Sequence, residues 1–311
     1  MLPPVEFTVT ASYTDENGQT QTAQVTQFEQ FVTRTLEITE EQAKQVTTAV
    51  VVDADGTVRH VPTNVYEQDD ANGAPHWYVT VNSLTNSTYA LIYNAQSFTD
   101  AAHMWYEEAV DEMGSRLILD GVGDGLFAGG RGITRAEFSA MIIRALGLPT
   151  DGGASNGTVF TDVPGGAWYY GAVCKASELG LINGVGNNKF NPERPITRQE
   201  AMAIIQRAAA IAGFKGKTNA LGAFNDAQNV SAWALDAVRW NVGSKLVVGY
   251  AHLLRPADDI TRAETATLVL NLLRQSGLID VRSGSQPATG AQAANAAPLA
   301  VLQSKKDEAE I

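Results

Sequence analysis

The sequence predicts an α+β chain: a β-sandwich-like antiparallel module first, then an all-α body of three helix-loop-helix repeats. Three observations predict it. A short phrase recurs as Ile133-Thr134-Arg135-Ala136-Glu137, Ile196-Thr197-Arg198-Gln199-Glu200 and Ile260-Thr261-Arg262-Ala263-Glu264. Its arginines stand 63 and then 64 residues apart (198−135, 262−198), and a fixed period means one structural unit used three times. Up to about Asn94 the texture is different, dense in threonine and valine and poor in helix signals.

The N-terminal elements follow from alternation and turn chemistry. Val5, Phe7, Val9, Ala11 and Tyr13 nearly alternate, as a half-buried strand requires, and Asn17-Gly18 is a hairpin turn signal. Val50-Val51-Val52 and Thr57 to Val61 flank Asp53-Ala54-Asp55-Gly56 as a second hairpin. Trp77–Val81 and Tyr89–Tyr93 read as further strands, and Glu37–Lys44 as a short helical turn.

Each repeat then keeps four landmarks in order. Phe98-Thr99-Asp100, Phe160-Thr161-Asp162 and Phe224-Asn225-Asp226 open the units. Trp105, Trp168 and Trp233 follow, at 30, 30 and 29 residues before the motif arginine (135−105, 198−168, 262−233). Gly121, Gly184 and Gly249 stand 14, 14 and 13 residues before it (135−121, 198−184, 262−249). The first helix of the second unit is expected to carry Trp168, Ala172, Val173, Ala176 and Leu179 on one face, and Gly180 to end it. The second helices bury Phe138, Met141, Ile142, Ala145 and Leu146; Ile204, Ile205, Ala208 and Ala209; and Leu268, Val269, Leu272 and Leu273. One helix pair cannot bury its own apolar face, so three sharing a core are expected to make a three-lobed body. These signals divide the chain into a β module over 1–95, repeats over about 96–150, 158–213 and 222–280, and a tail over 281–311 of linker composition that should be mobile.

Thr-x-x-Glu at a helix start is a capping box, in which the threonine hydroxyl and the glutamate carboxylate exchange bonds with each other's backbone amides. That reading accounts for Thr134/Glu137, Thr197/Glu200 and Thr261/Glu264, and leaves the arginine unexplained, because a cation at a helix N-terminus opposes the helix dipole by about 0.3–1 kcal/mol. Two tasks remain open for it. One is an ion pair to a neighbouring repeat's carboxylate, with Asp100, Asp162 and Asp226 as candidates. The other is an anion site, in which free amides and a planar guanidinium receive a carboxylate or phosphate.

The phrases resemble those of the S-layer homology family, whose pattern runs Phe-x-Asp, Trp, Gly, Thr-Arg-Ala-Glu, usually in three copies. The resemblance covers about 96–280 and matches in order, spacing and copy number. It implies a pseudo-threefold helical body that anchors proteins non-catalytically to the cell wall of mainly Gram-positive bacteria. It further implies extracellular placement and an anionic secondary cell-wall polysaccharide, often pyruvylated, held in grooves between repeats. By the same resemblance Arg135, Arg198 and Arg262 meet the pyruvate carboxylate, and the motif aspartates, tryptophans and glycines shape the groove. The departures are Gln199 for alanine, Phe127-Ala128-Gly129-Gly130-Arg131-Gly132 for the proline stretch in unit one, and the shorter, divergent Leu253-Leu254-Arg255-Pro256 in unit three. The three grooves are therefore not expected to be equal.

Composition supports no other partner class. The net charge of −12 argues against nucleic acid, though arginines in a groove can still bind an acidic glycan, and salt would screen both contributions. No apolar run is long enough to insert into a membrane, and with no signal peptide legible at residue 1 the resemblance leads us to expect one upstream. Cys174 lies on a helix's apolar side as a core residue, the histidines lack metal spacing, and Asp53-x-Asp55-Gly56 lacks the glutamate of a calcium loop, so neither metal nor cofactor is expected. Two rival readings stand beside anchoring. One is a fragment of a surface-bound glycan-processing enzyme with its catalytic domain upstream. The other is a surface-lattice protein that self-associates.

Overall fold

The computed structural model describes residues 4–53, 56–150 and 160–281. All but Val281 of the expected tail lies outside them, as does Asp55. Antiparallel sheets occupy the N-terminal part and helices the rest. In one sheet the order is β1 (Val5–Glu6), β9 (Thr88–Ile92), β5 (Thr48–Val52), β6 (Val58–Val61). In a second it is β4 (Gln27–Ile38), β8 (Pro75–Thr85), β7 (Thr63–Asp69). The two sheets share one apolar cluster, with Ala49, Val51, Val61, Tyr89 and Leu91 from the first and Ile38, Val79 and Val81 from the second. The predicted helical turn is α1 (Glu40–Gln45), capped by Thr39 and Gln42.

The alternating run at the N-terminus is not one half-buried strand. It breaks after β1, and the rest becomes β2 (Val9–Thr14), which pairs only with β3 (Thr20–Val25) about Asn17-Gly18. A two-stranded ribbon off the sheets has no core to face, so β2 is exposed throughout, Tyr13 to 56%.

In the helical part the first helices are α2 (Glu107–Ser115), α4 (Tyr170–Glu178) and α6 (Leu235–Gly243). The second helices are α3 (Arg135–Ala145), α5 (Arg198–Ile211) and α7 (Arg262–Gln275). The apolar positions expected on the second helices are all buried. The first helices differ from expectation in one respect. They begin after the tryptophans, which lie in the preceding turns, exposed at 66, 64 and 60% for Trp105, Trp168 and Trp233. The apolar stripe of α4 therefore starts at Ala172, and Gly180, with φ +66°, follows its end.

What joins the repeats is backbone. The amide of Ile133 donates to Ile260 O (3.1 Å), that of Ile260 to Ile196 O (3.0 Å) and that of Ile196 to Ile133 O (3.1 Å). These three isoleucines, one from each repeated phrase, are buried and close a ring of hydrogen bonds. The ring fixes the starts of α3, α5 and α7 against one another, and those starts carry the motif arginines. The β module docks on the same body through polar contacts. Asn82 Nδ2 donates to Leu278 O (3.1 Å) and Asn64 Nδ2 to Gly277 O (2.9 Å). Arg116, fully buried, donates to Thr63 O (3.1 Å) and pairs with Glu112 and Asp280.

Candidate functional site at the repeat junctions

All three Thr-x-x-Glu phrases form complete capping boxes. The helix starts nonetheless offer no free anion cradle. At α3 the first two amides, of Arg135 and Ala136, donate to Arg194 O and Pro192 O of the next repeat (2.9 and 3.0 Å). At α5 those of Arg198 and Gln199 go to Asp258 O and Pro256 O (2.9 and 2.9 Å). At α7 those of Arg262 and Ala263 return to Arg131 O and Gly129 O (2.9 and 3.1 Å). With the threonine taking the third amide, the groups that the anion-site reading needed are occupied by the neighbouring repeat's loop.

The motif arginines lie inside these contacts, only 5, 8 and 6% exposed for Arg135, Arg198 and Arg262. Arg135 places Nε on Phe190 O (2.8 Å) and Nη2 on Asn183 O (2.8 Å), with its guanidinium 4.5 Å from the Phe190 ring centre. Arg262 repeats this on repeat one, with Phe127 O (3.0 Å), Asp120 O (2.7 Å) and the Phe127 ring at 4.6 Å. Arg198 meets Leu254 O (2.8 Å), where no ring is present, and its Nη1 lies 2.6 Å from Glu264. Burial pushes the Arg135 and Arg262 guanidiniums down from the ordinary arginine value, against the pull of Glu200 and Glu137.

The ion-pair partner is a neighbouring carboxylate, as one reading held, but it is the capping glutamate and not the motif aspartate. Arg135 Nη1 is 3.5 Å from Glu200, and Arg262 Nη1 is 3.8 Å from Glu137. Each glutamate also holds an exposed arginine of its own repeat: Arg131–Glu137 at 2.5 Å, Arg194–Glu200 at 2.5 Å, Arg255–Glu264 at 3.2 Å. Burial raises the Glu137 and Glu200 carboxyls, but these arginines and the threonine amides outweigh it, and both end below the usual range. The motif aspartates brace loops instead. Asp100 accepts the amides of Phe127 and Ala128, Asp162 those of Phe190 and Asn191, and Asp226 those of Leu254 and Arg255, all at 2.7–2.9 Å. The Phe127 amide is the main reason Asp100 titrates low.

The motif glycines are required by space. A Cβ at Gly121, Gly184 or Gly249 would stand 2.6–2.9 Å from both the Phe98, Phe160 or Phe224 ring and a loop carbonyl. The tryptophans are the large side chains among the predicted site residues that are broadly open to solvent. Trp105 and Trp168 stand edge-on against Tyr106 and Tyr169, ring centres 5.3 Å apart, whereas Ala234 follows Trp233. An open pocket of about 520 Å³ lies on repeat two, lined by Asp162, Tyr169, Pro192 and Arg194 among others, beside the junction where the Pro192 and Arg194 carbonyls receive the first amides of α3.

Each site is thus assembled from one repeat's arginine and the next repeat's loop. Reading unit by unit had hidden this, and it had passed over Tyr106, Tyr169, Arg131 and Arg194. Two signals mark them: an aromatic directly after the tryptophan, and a cation four residues before the motif arginine (135−131, 198−194).

The family model of the S-layer homology domain matches residues 97–139, 159–202 and 223–266. The chain carries three S-layer homology domains. Domains of this family anchor to the cell wall and are not catalytic. The chain is 32% identical over 203 residues to an amylopullulanase of Thermoanaerobacterium thermosulfurigenes, and 31% over 195 residues to the exoglucanase XynX of Acetivibrio thermocellus. It is 30% identical over 166 residues to the surface-layer 125 kDa protein of Lysinibacillus sphaericus. These matches cover 65, 62 and 52% of this chain but 11, 18 and 13% of the relatives. The family and the surface-layer relative support a cell-surface location, and among the described residues no helix is long and apolar enough to cross a membrane.

Proposed function

We propose that residues 96–280 form a pseudo-threefold anchor about the ring of Ile133, Ile196 and Ile260. The anchor holds an anionic, pyruvylated wall polysaccharide at the junctions between repeats, without catalysis. The observation that carries the reading is the grouping at the first junction of an exposed tryptophan (Trp168), a tyrosine, an arginine and an open pocket, with Trp105, Tyr106 and Arg131 at the equivalent positions of repeat one. Trp168 offers a face on which a sugar ring stacks, with the buried Tyr169 bracing it edge-on, and the Asp162 oxygens accept hydroxyls. Gly121, Gly184 and Gly249 with Asp100 and Asp226 shape the loops, and Arg135, Arg198 and Arg262 hold repeats together behind the ligand. Several modest sites on one body raise avidity through effective concentration.

Co-sedimentation with purified Gram-positive cell walls, before and after chemical stripping of the wall polysaccharide, tests this. Binding that persists unchanged on stripped walls ends the reading. The relatives named as an amylopullulanase and an exoglucanase favour a second reading, that this chain is the anchoring segment of a glycan-processing enzyme. The β module of 1–95 then links cargo to anchor. A wall- and starch-hydrolysis assay on the full-length polypeptide separates the two.

A further inference from the structure

The motif arginine cannot be the group that first meets a dissolved anion. At each of Arg135 and Arg262 two nitrogens are hydrogen-bonded to carbonyls, a third faces a glutamate, and the side chain is 6 or 8% exposed. A carboxylate from solvent would have to displace Glu200 or Glu137 from a crowded contact. The second arginine of each cluster is different. Arg131 and Arg194 are 43 and 37% exposed, and a guanidinium carries five donors. Glu200 takes one donor, Nη2 of Arg194 (2.5 Å), and Glu137 takes Nη2 and Nη1 of Arg131 (2.5 and 3.3 Å), which leaves the remaining N–H groups of each fork for a ligand. Their backbones do not move freely, because Arg194 O and Arg131 O receive the first amides of α3 and α7. A cation on a fixed backbone, tethered by a carboxylate and open to solvent, is pre-organised for a planar anion.

We propose that Arg131 and Arg194 are the residues that contact the acidic substituent of the polymer, and that Arg135 and Arg262 position them through the shared glutamate. The assignment rests on the anchoring function proposed above. It also ranks the junctions. At the Arg194 junction Glu193 lines the same pocket and opposes an anion, whereas Gly130 occupies its place beside Arg131. In the third junction the position four before the motif arginine is Asp258 (262−258), and the exposed cation comes instead from Arg255, seven before (262−255). The junction of repeats three and one therefore binds an acidic glycan best, the junction of one and two less well, and the junction of two and three least.

The test uses the full chain and wall polysaccharide purified from a Gram-positive wall, with and without mild-acid removal of its pyruvate ketals, by titration calorimetry. Arg131→Ala with Arg194→Ala should weaken binding to the intact polymer by about tenfold or more, to the level of the wild type on the ketal-free polymer. Its melting temperature should stay near wild type, since exposed pairs contribute little to stability. Lysine at both positions should recover part of the loss. Glu193→Gln should tighten binding of the intact polymer only. If the folded double alanine variant binds intact polymer as wild type does, the assignment fails while anchoring stands. If wild type binds neither polymer, the anchoring reading fails and takes this one with it.

Discussion

The junction closed by Arg135 and the junction closed by Arg198 start from the same Thr-Arg-x-Glu pattern and differ in what the arginine meets. Arg135 rests on an aromatic ring and two carbonyls of the next repeat, with its glutamate at 3.5 Å. Arg198 has a leucine in place of the ring, one carbonyl, and a glutamate at 2.6 Å. Tyr169 beside the first becomes Ala234 beside the second, and Asp226, the counterpart of Asp162, is itself buried at 8%. The motif thus specifies a clasp between repeats. Whether a clasp also fronts an open, aromatic pocket depends on the loop that the following repeat supplies.

The largest effect that can break this comparison is loss of the clasp itself. Arg135→Ala leaves Phe190 O and Asn183 O without their side-chain donors, and removing one member of a buried charged cluster costs about 3–5 kcal/mol. Arg198→Ala should cost about 1–2 kcal/mol less, because it gives up no cation–π contact and one carbonyl bond fewer. Urea denaturation of both variants decides it. An Arg198→Ala loss equal to or above that of Arg135→Ala would mean the short ion pair outweighs ring and carbonyl together.

A smaller effect comes from the loop glycines. Gly184→Ala drives a methyl to 2.8 Å from both Lys189 O and the Phe160 ring, an overpacking cost of about 1–3 kcal/mol. Gly249→Ala meets comparable crowding and also has φ +69°, which adds about 1 kcal/mol for a residue with a Cβ. The difference in thermal midpoint between the two variants should show the third junction losing more, and equal losses would show that its loop relaxes.

Smaller again is the effect of the exposed tryptophans, which separates binding from stability. Trp168→Ala should weaken binding to intact wall polysaccharide by about 1–2 kcal/mol while moving stability within about 0.5 kcal/mol. Trp233→Ala should weaken binding less, since no tyrosine braces that ring. Equal binding losses in calorimetry would make the third junction a full participant.

Much of this arrangement is legible in the sequence, and the rest is hidden for definite reasons. The capping boxes, the buried faces of α3, α5 and α7, the hairpin about Asn17-Gly18 and the antiparallel pairing of β5 with β6 follow from local chemistry and appear where spacing puts them. β4 went unread because Glu29, Gln30, Thr33 and Arg34 interrupt its apolar pattern, and its register comes from β8, far along the chain. Capping leaves the motif arginine unexplained, and the structure gives it a place between repeats. Its partners were not legible, because the Asn183, Phe190 and Glu200 groups around Arg135 belong to the next repeat, a relation that no periodicity displays.

The smallest predicted effect distinguishes the repeat junctions from the boundary between β module and helical body. His60 is buried there, with Nδ1 on the Thr48 hydroxyl at 2.8 Å, and burial first, then Arg116 and Arg59, pushes its pKa well below the usual 6.5. Asp53 pairs with Arg59, and Glu112 and Asp280 with Arg116, so no carboxylate is left over to welcome a protonated imidazole. As pH falls below 6.5 the unfolded chain takes up a proton that the folded one refuses, and stability declines. Glu137 and Glu200 act in a lower window. Their folded pKa values lie below the usual 4.5, so the stability they add is complete above that pH and is lost as pH falls through it. The melting temperature should therefore fall in two stages on acidification, and His60→Gln should flatten the upper stage alone. A flat profile from pH 7.5 to 5 would show that the boundary opens to water readily enough to charge His60, and that the sheets and the helical body are not held as one.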